Sequence, residues 1–187
     1  MSFRAARPVT LLALLLAACL AAGCNQTEQA NKLVDEMNAL TTRGEEVAKQ
    51  AIARSQEMQE KDFEEEREEV RRLARESADL FRQARDQFRE AADKAEQAGK
   101  LKVDDWYKNY LSLKAQEIRK RAEVFDLSSR EGDIAAGDAT LEEINEKITE
   151  LEVRAEKLNE EGAALTAEVR RVEAEHKEDF RGEGGAK

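Results

Sequence analysis

From Leu141 the apolar residues run Leu141, Ile144, Ile148, Leu151, Ala155, Leu158, Gly162, Leu165, Val169 and Val172, in steps that alternate three and four without a slip. A strand cannot use this spacing, because its side chains alternate faces with a period of two. An unbroken three-four alternation is the a and d seam of a coiled-coil heptad, so this segment predicts a helix that must lie against another helix. Ala155 and Gly162 thin the seam. Thr140, three residues before Glu143, marks its start in capping-box spacing. The expected helix covers residues 140–180, and the Gly-rich residues 181–187 form a flexible tail.

The remaining composition points the same way. One proline and 5% aromatics in 187 residues leave too few turn residues and β-formers for a sandwich, barrel or disulfide scaffold. The charged fraction of 39% would suit a disordered chain, but abundant Ala, Leu, Glu, Lys, Arg and Gln favour helix.

Two further helices are expected upstream. Over residues 27–98, Leu33, Met37, Leu40, Val47 and Ala51 keep one heptad phase, with Gly44 in one slot. Between Arg54 and Glu69 only Met58 and Phe63 are large and apolar, and Glu68 stands four residues before Arg72, a spacing that supports an exposed helix. The acidic run Glu64 to Glu69 therefore reads as a solvated face and not as a metal or basic-partner site. The seam resumes in a shifted phase as Val70, Leu73, Ser77, Leu80, Phe81, Ala84, Phe88, Ala91 and Ala95. A second helix over residues 103–130 follows Gly99-Lys100, its start favoured by Asp104 or Asp105. Residues 131–139, with Gly132 and Gly137, form a loop.

The fold class is therefore all-α, an elongated antiparallel helical hairpin or a three-helix coiled-coil bundle. At 1.5 Å per residue, helices of residues 27–98, 103–130 and 140–180 span roughly 108, 42 and 62 Å, so the last two together nearly match the first. In the hairpin, the turn at Gly99 lays Trp106 and Tyr110 against Phe88 and the alanines. The terminal heptads of the first and third helices then face each other.

The N-terminus carries an address. Arg4 and Arg7 precede an apolar run from Val9 to Ala22, a positive n-region and an h-region too short for a comfortable span of about 20 apolar residues. Polarity changes abruptly at Asn25-Gln26-Thr27-Glu28. Residues 1–23 thus read as a signal peptide and 24–26 as a short linker before the helical domain of residues 27–180.

The junction Leu20-Ala21-Ala22-Gly23-Cys24 resembles the lipobox of bacterial lipoproteins. That resemblance implies a diacylglyceryl group on the Cys24 thiol, cleavage just before it and acylation of the new N-terminus, palmitate being a typical chain. Leu16-Ala17-Ala18-Cys19 is a second match, making Cys19 the alternative, although the sequence after Cys24 becomes polar at once. Ordinary secretion and an uncleaved anchor are the other two readings of this leader. Asn25 lacks the acidic retention signal of the family, which implies, for a double-membraned source, an outer-membrane lipoprotein facing the periplasm.

Removal of the leader takes away Arg4 and Arg7 and no acid, so the rest is still more acidic than the whole-chain net charge of −10. With no basic patch, neither nucleic acid nor polybasic contact with anionic lipid is expected. Attachment to the membrane falls to the acyl chains, of which two or more are needed for stable anchoring.

Catalytic patterns are sparse. His176 is the one histidine. Glu173-x-x-His176 has the spacing of half a di-iron carboxylate site, but the second half has no histidine. No enzymatic activity, cofactor or metal is expected. Trp106, Tyr107 and Tyr110 form the one aromatic concentration, read either as packing around the helix turn or as an interaction patch. The expected role is that of a structural or adaptor module of the cell envelope, binding a protein partner or itself through heptad faces. The alternative is a small-ligand or lipid carrier with a pocket near Phe88 and Trp106.

Overall fold

The structure, a computed structural model, describes the backbone of residues 8–181 and the side chains of residues 26–180. The signal-peptide assignment, Cys19, Cys24 and the tail beyond Arg181 lie outside the residues whose side chains it describes. The elements are α1 (Pro8–Gln59), α2 (Arg67–Gly99), α3 (Asp105–Ala135), α4 (Leu141–Glu175) and the single turn α5 (Lys177–Arg181). Among the described residues there is no strand. The chain is all-α, its four long helices packed consecutively as antiparallel hairpins: α1 on α2, α2 on α3, α3 on α4.

The one long helix expected over residues 27–98 is two helices. α1 stops at Gln59, and the chain reverses through residues 60–66. The physical cause is Asp62, whose Oδ1 accepts from the backbone N–H of Glu64 (2.9 Å) and of Glu65 (3.0 Å). A short carboxylate that captures nearby N–H groups competes with the i→i−4 ladder and starts a new helix. Glu66 secures the turn, its Oε1 accepting from Lys61 Nζ (3.1 Å) and its Oε2 from Asp62 N (3.2 Å). The phase shift between Ala51 and Val70 is thus a change of helix.

This reversal changes the topology. α1 from Gln26, α2, α3 and α4 are each roughly 50 Å long, so four matched helices replace one long helix opposed by two short ones. The seam of α1 is covered by α2, with Met37, Leu40, Ala48 and Ala51 buried. α4 packs on α3 and not on α1 as the hairpin required. Two smaller boundary changes accompany it. α3 continues to Ala135, well past residue 130, and the third helix is interrupted at His176. The expected capping box is present, Thr140 Oγ1 accepting from Glu143 N (3.3 Å) and Glu143 Oε2 from Thr140 N (3.0 Å).

Small residues let the middle helices approach closely. Met37, Leu40, Phe88, Ala91, Ala92, Ala95, Ala115, Ile118 and Ala122 form one core cluster, flanked by Phe125. Full burial of a side chain like Phe88 contributes about 2–3 kcal/mol. Its ring occupies the space that a Cβ on Gly44 would take, 2.6 Å from the nearest ring carbon. Ser77, 2% exposed, donates to Ala51 O (3.1 Å) and shares a 2.7 Å hydrogen bond with Ser55 Oγ, so the polar slot in the seam is satisfied across α1 and α2.

Candidate functional site

Two ends follow from the topology. At one, the 60–66 turn meets the loop after α3, where Arg67 donates to Asp138 O and Ala139 O, both at 3.1 Å. At the other, Lys102 N in the α2–α3 loop donates to Gln26 Oε1 (2.7 Å). The second end holds Trp106, Tyr107 and Tyr110.

Trp106, Tyr107 and Tyr110 stand on the first turns of α3, and the chain brings them two partners about 70 residues away. α4 breaks at His176, whose φ of −112° and ψ of 26° leave the helix, and the turn of α5 carries Phe180 over the rings. Trp106 stacks on His176 at 4.2 Å with planes 7° apart. Phe180 meets Trp106 edge-on at 5.3 Å and Tyr110 at 5.0 Å. Tyr107 and Tyr110 lie parallel at 5.9 Å. Below them Ala30, Ala98, Leu111, Val169 and Val172 close the core, with Leu101 and Val103 packed at its rim.

Tyr110 is buried and donates from its hydroxyl to Glu173 Oε1 (3.2 Å). Burial, ahead of the neighbouring Glu173 charge, pushes its phenol far above the usual range. Burial and then the Asp35 charge also push Tyr107 up. Tyr110 stays a neutral hydrogen-bond donor. Glu173 and His176 are used separately, Glu173 by Tyr110 and His176 by Trp106 and by Asp179, whose Oδ2 lies 3.0 Å from Nδ1. Among the described residues no cluster of His, Cys, Asp and Glu is disposed to hold a metal.

Most of the aromatic group is packed inward, yet the end keeps an open rim. Phe180 is 41% exposed, and Trp106 and Tyr107 are half-buried. Trp106 and Phe88 do not share a site. Phe88 faces Phe125 at 5.2 Å in the middle of the array, while Trp106 belongs to the end cluster. Tyr110, likewise expected against Phe88, lies with Ala98 and Leu111. The reversal is centred later, on residues 100–104, than the hairpin register with its turn at Gly99 assumed, so α3 meets α2 with Ala115, Ile118 and Ala122 opposite the alanines and Phe88.

A second feature was invisible in so acidic a sequence. Glu117 on α3 is only 3% exposed. It accepts from Lys114 Nζ (2.8 Å), Thr166 Oγ1 of α4 (2.9 Å) and Arg121 Nη2 (3.5 Å). Burial pushes its carboxyl up, but these hydrogen bonds and cations outweigh burial and hold it below the ordinary glutamate value. Above it, Leu158, Asn159, Gly162, Ala163 and Thr166 of α4 face Lys120, Arg121 and Val124 of α3 across an open groove of about 230 Å³. The groove lies where Gly162 thins the heptad seam.

Among the described residues no helix is long and apolar enough to cross a membrane. Comparison of the chain with protein families, curated proteins and solved structures finds no match.

Proposed function

We propose that this chain is a lipoprotein of the bacterial cell envelope, held by acyl chains on Cys24 in the outer membrane, whose periplasmic helical array acts as a structural or adaptor module. The lipobox-like leader supports the anchor. The observation that carries the adaptor role is the half-covered seam of α4. Ile144, Leu151, Val169 and Val172 are buried on α3, while Ile148, Leu158 and Leu165 of the same seam are only half-buried. The groove beside them opens between α3 and α4. A heptad face with one neighbour instead of two retains apolar surface that another helix can cover. That helix belongs to a protein partner or to a second copy.

The experiment is photocrosslinking in the native cell from Asn159, which lines the groove, with Arg75 on the exposed face of α2 as control. The adaptor reading expects a discrete adduct from position 159 and none from position 75. Absence of any adduct, together with a strictly monomeric mature protein, overturns it.

A further inference from the structure

The loop joining α2 to α3 is tied to α1 at Gln26 by the Lys102 N to Gln26 Oε1 hydrogen bond. Cys24 stands two residues before Gln26, and two residues of chain reach at most about 7 Å. A lipid on Cys24 therefore brings the α2–α3 loop to the bilayer surface whatever path those two residues take. The interfacial layer on each side of a bilayer is about 5–8 Å thick. The Gln26 side chain adds about 5 Å to that reach and its hydrogen bond 2.7 Å, which holds the end of the array beside that layer, close enough for its rings to meet it.

We infer that the aromatic end of the array, at Leu101, Val103, Trp106, Tyr107 and Phe180, is seated in the headgroup layer of the membrane that holds Cys24, and that the helices stand upright from it. This rests on the lipoprotein reading above. The chemistry of the end fits the occupant. Trp and Tyr rings are amphipathic and settle at the boundary between headgroups and acyl chains. Lys100 and Lys102 are exposed, and long ammonium side chains at such a boundary reach up to the phosphates. Acidic residues accompany them: Asp104, Asp105, Glu28 and Asp179 are exposed, and Asp105 pairs with Lys108 at 3.0 Å. The seat is consequently apolar and aromatic in character and does not require anionic lipid. The opposite end has no comparable group. The turn there is Lys61-Asp62-Phe63-Glu64-Glu65-Glu66, whose lone ring, Phe63, has the Arg67 guanidinium 5.6 Å from its centroid.

The test uses the full acylated protein in phosphatidylcholine vesicles with or without bromine on the upper acyl chain. Trp106 is the only tryptophan and reports from the seat itself. Because its stack on His176 can shield it, a second reporter is a fluorophore on Lys102→Cys, and Glu65→Cys carries the same fluorophore about 50 Å away at the other end. The inference expects loss of emission from position 102 and from Trp106 in brominated vesicles, with position 65 unchanged. It also expects the same losses when anionic lipid is added. Equal, unquenched emission at 102 and 65 overturns it, as does quenching at both, which would lay the array flat. The mass of the N-terminal peptide separates the two readings. An acylated protein that floats with the vesicles but shows no loss at 102 overturns the seat alone. An unacylated one overturns both.

Discussion

Gly132 and Gly162 are both helical glycines, and their surroundings give substitutions of opposite sign. A Cβ on Gly132 would lie 2.7 Å from Ala74 O and 2.9 Å from Ala78 Cβ, so the backbones of α2 and α3 must separate. Gly132→Ala should lower stability by about 1–3 kcal/mol, since overpacking exceeds the gain in helix propensity. At Gly162 the nearest atom is Lys120 Cβ at 3.7 Å, an ordinary contact. Gly162→Ala should raise stability by about 0.5–1 kcal/mol. Urea denaturation of both variants checks the pair. The stacked rings offer a second test. Trp106→Ala and His176→Ala should each destabilise the fold, with a coupling of about 0.5–1.5 kcal/mol in a double-mutant cycle. A coupling of zero would mean that the rings do not pack on each other in solution.

Glu117 adds a pH dependence whose sign is set by its depressed value. Such a carboxylate stabilises the fold above its unfolded value, near 4.5, and that contribution is lost as pH falls through the lower, folded value. Glu117→Gln should be less stable than the parent by about 1–2 kcal/mol at neutral pH. The difference should shrink as pH falls below about 5. Denaturation curves at neutral pH and at pH 4 measure it. Sequence reasoning could not single out this residue, because acidic side chains are everywhere in the chain. Its signal is Thr166 flanking the seam opposite it, recognisable only once α3 and α4 are aligned.

α4 and α2 differ in how they are held. α2 packs on both α1 and α3, whereas α4 packs on α3 and the short α5. Amide exchange should therefore be faster through α4 than through the buried positions of α2, with α4 opening as a unit. Thr140→Ala removes its capping hydrogen bond and should cost about 1 kcal/mol, read as faster exchange confined to α4. The helix itself was legible from its heptad, from the Thr140–Glu143 spacing and from the glycines beyond it. The reversal at residues 60–66 was only half legible. The apolar gap between Arg54 and Glu69 and the phase shift after Ala51 were visible, but the Glu-rich run has high helix propensity and masked the turn. What decides it is Asp62 bonding to Glu64 and Glu65, with α2 covering Met37 and Leu40, a tertiary gain that local propensity does not contain.

At the scale of the whole molecule, an all-α array was legible because one proline, few aromatics and heptads leave no other class. Its order was not, since a single unrecognised turn converts one long helix into two and re-pairs the rest. The aromatic end shows the same division. Trp106, Tyr107 and Tyr110 stood out in the sequence, while His176 and Phe180 join them only through the fold and the break at the end of α4. The proposed lipid-held array, with its aromatic end at the membrane, depends on the chemistry of Cys24. Intact mass spectrometry of the protein purified from its native membrane, with fragmentation of the N-terminal peptide, reads that chemistry directly. The expected result is a chain that begins at Cys24 and carries two or three acyl groups there. An unmodified N-terminus at or near Cys24, or a chain that retains its leader, would contradict it.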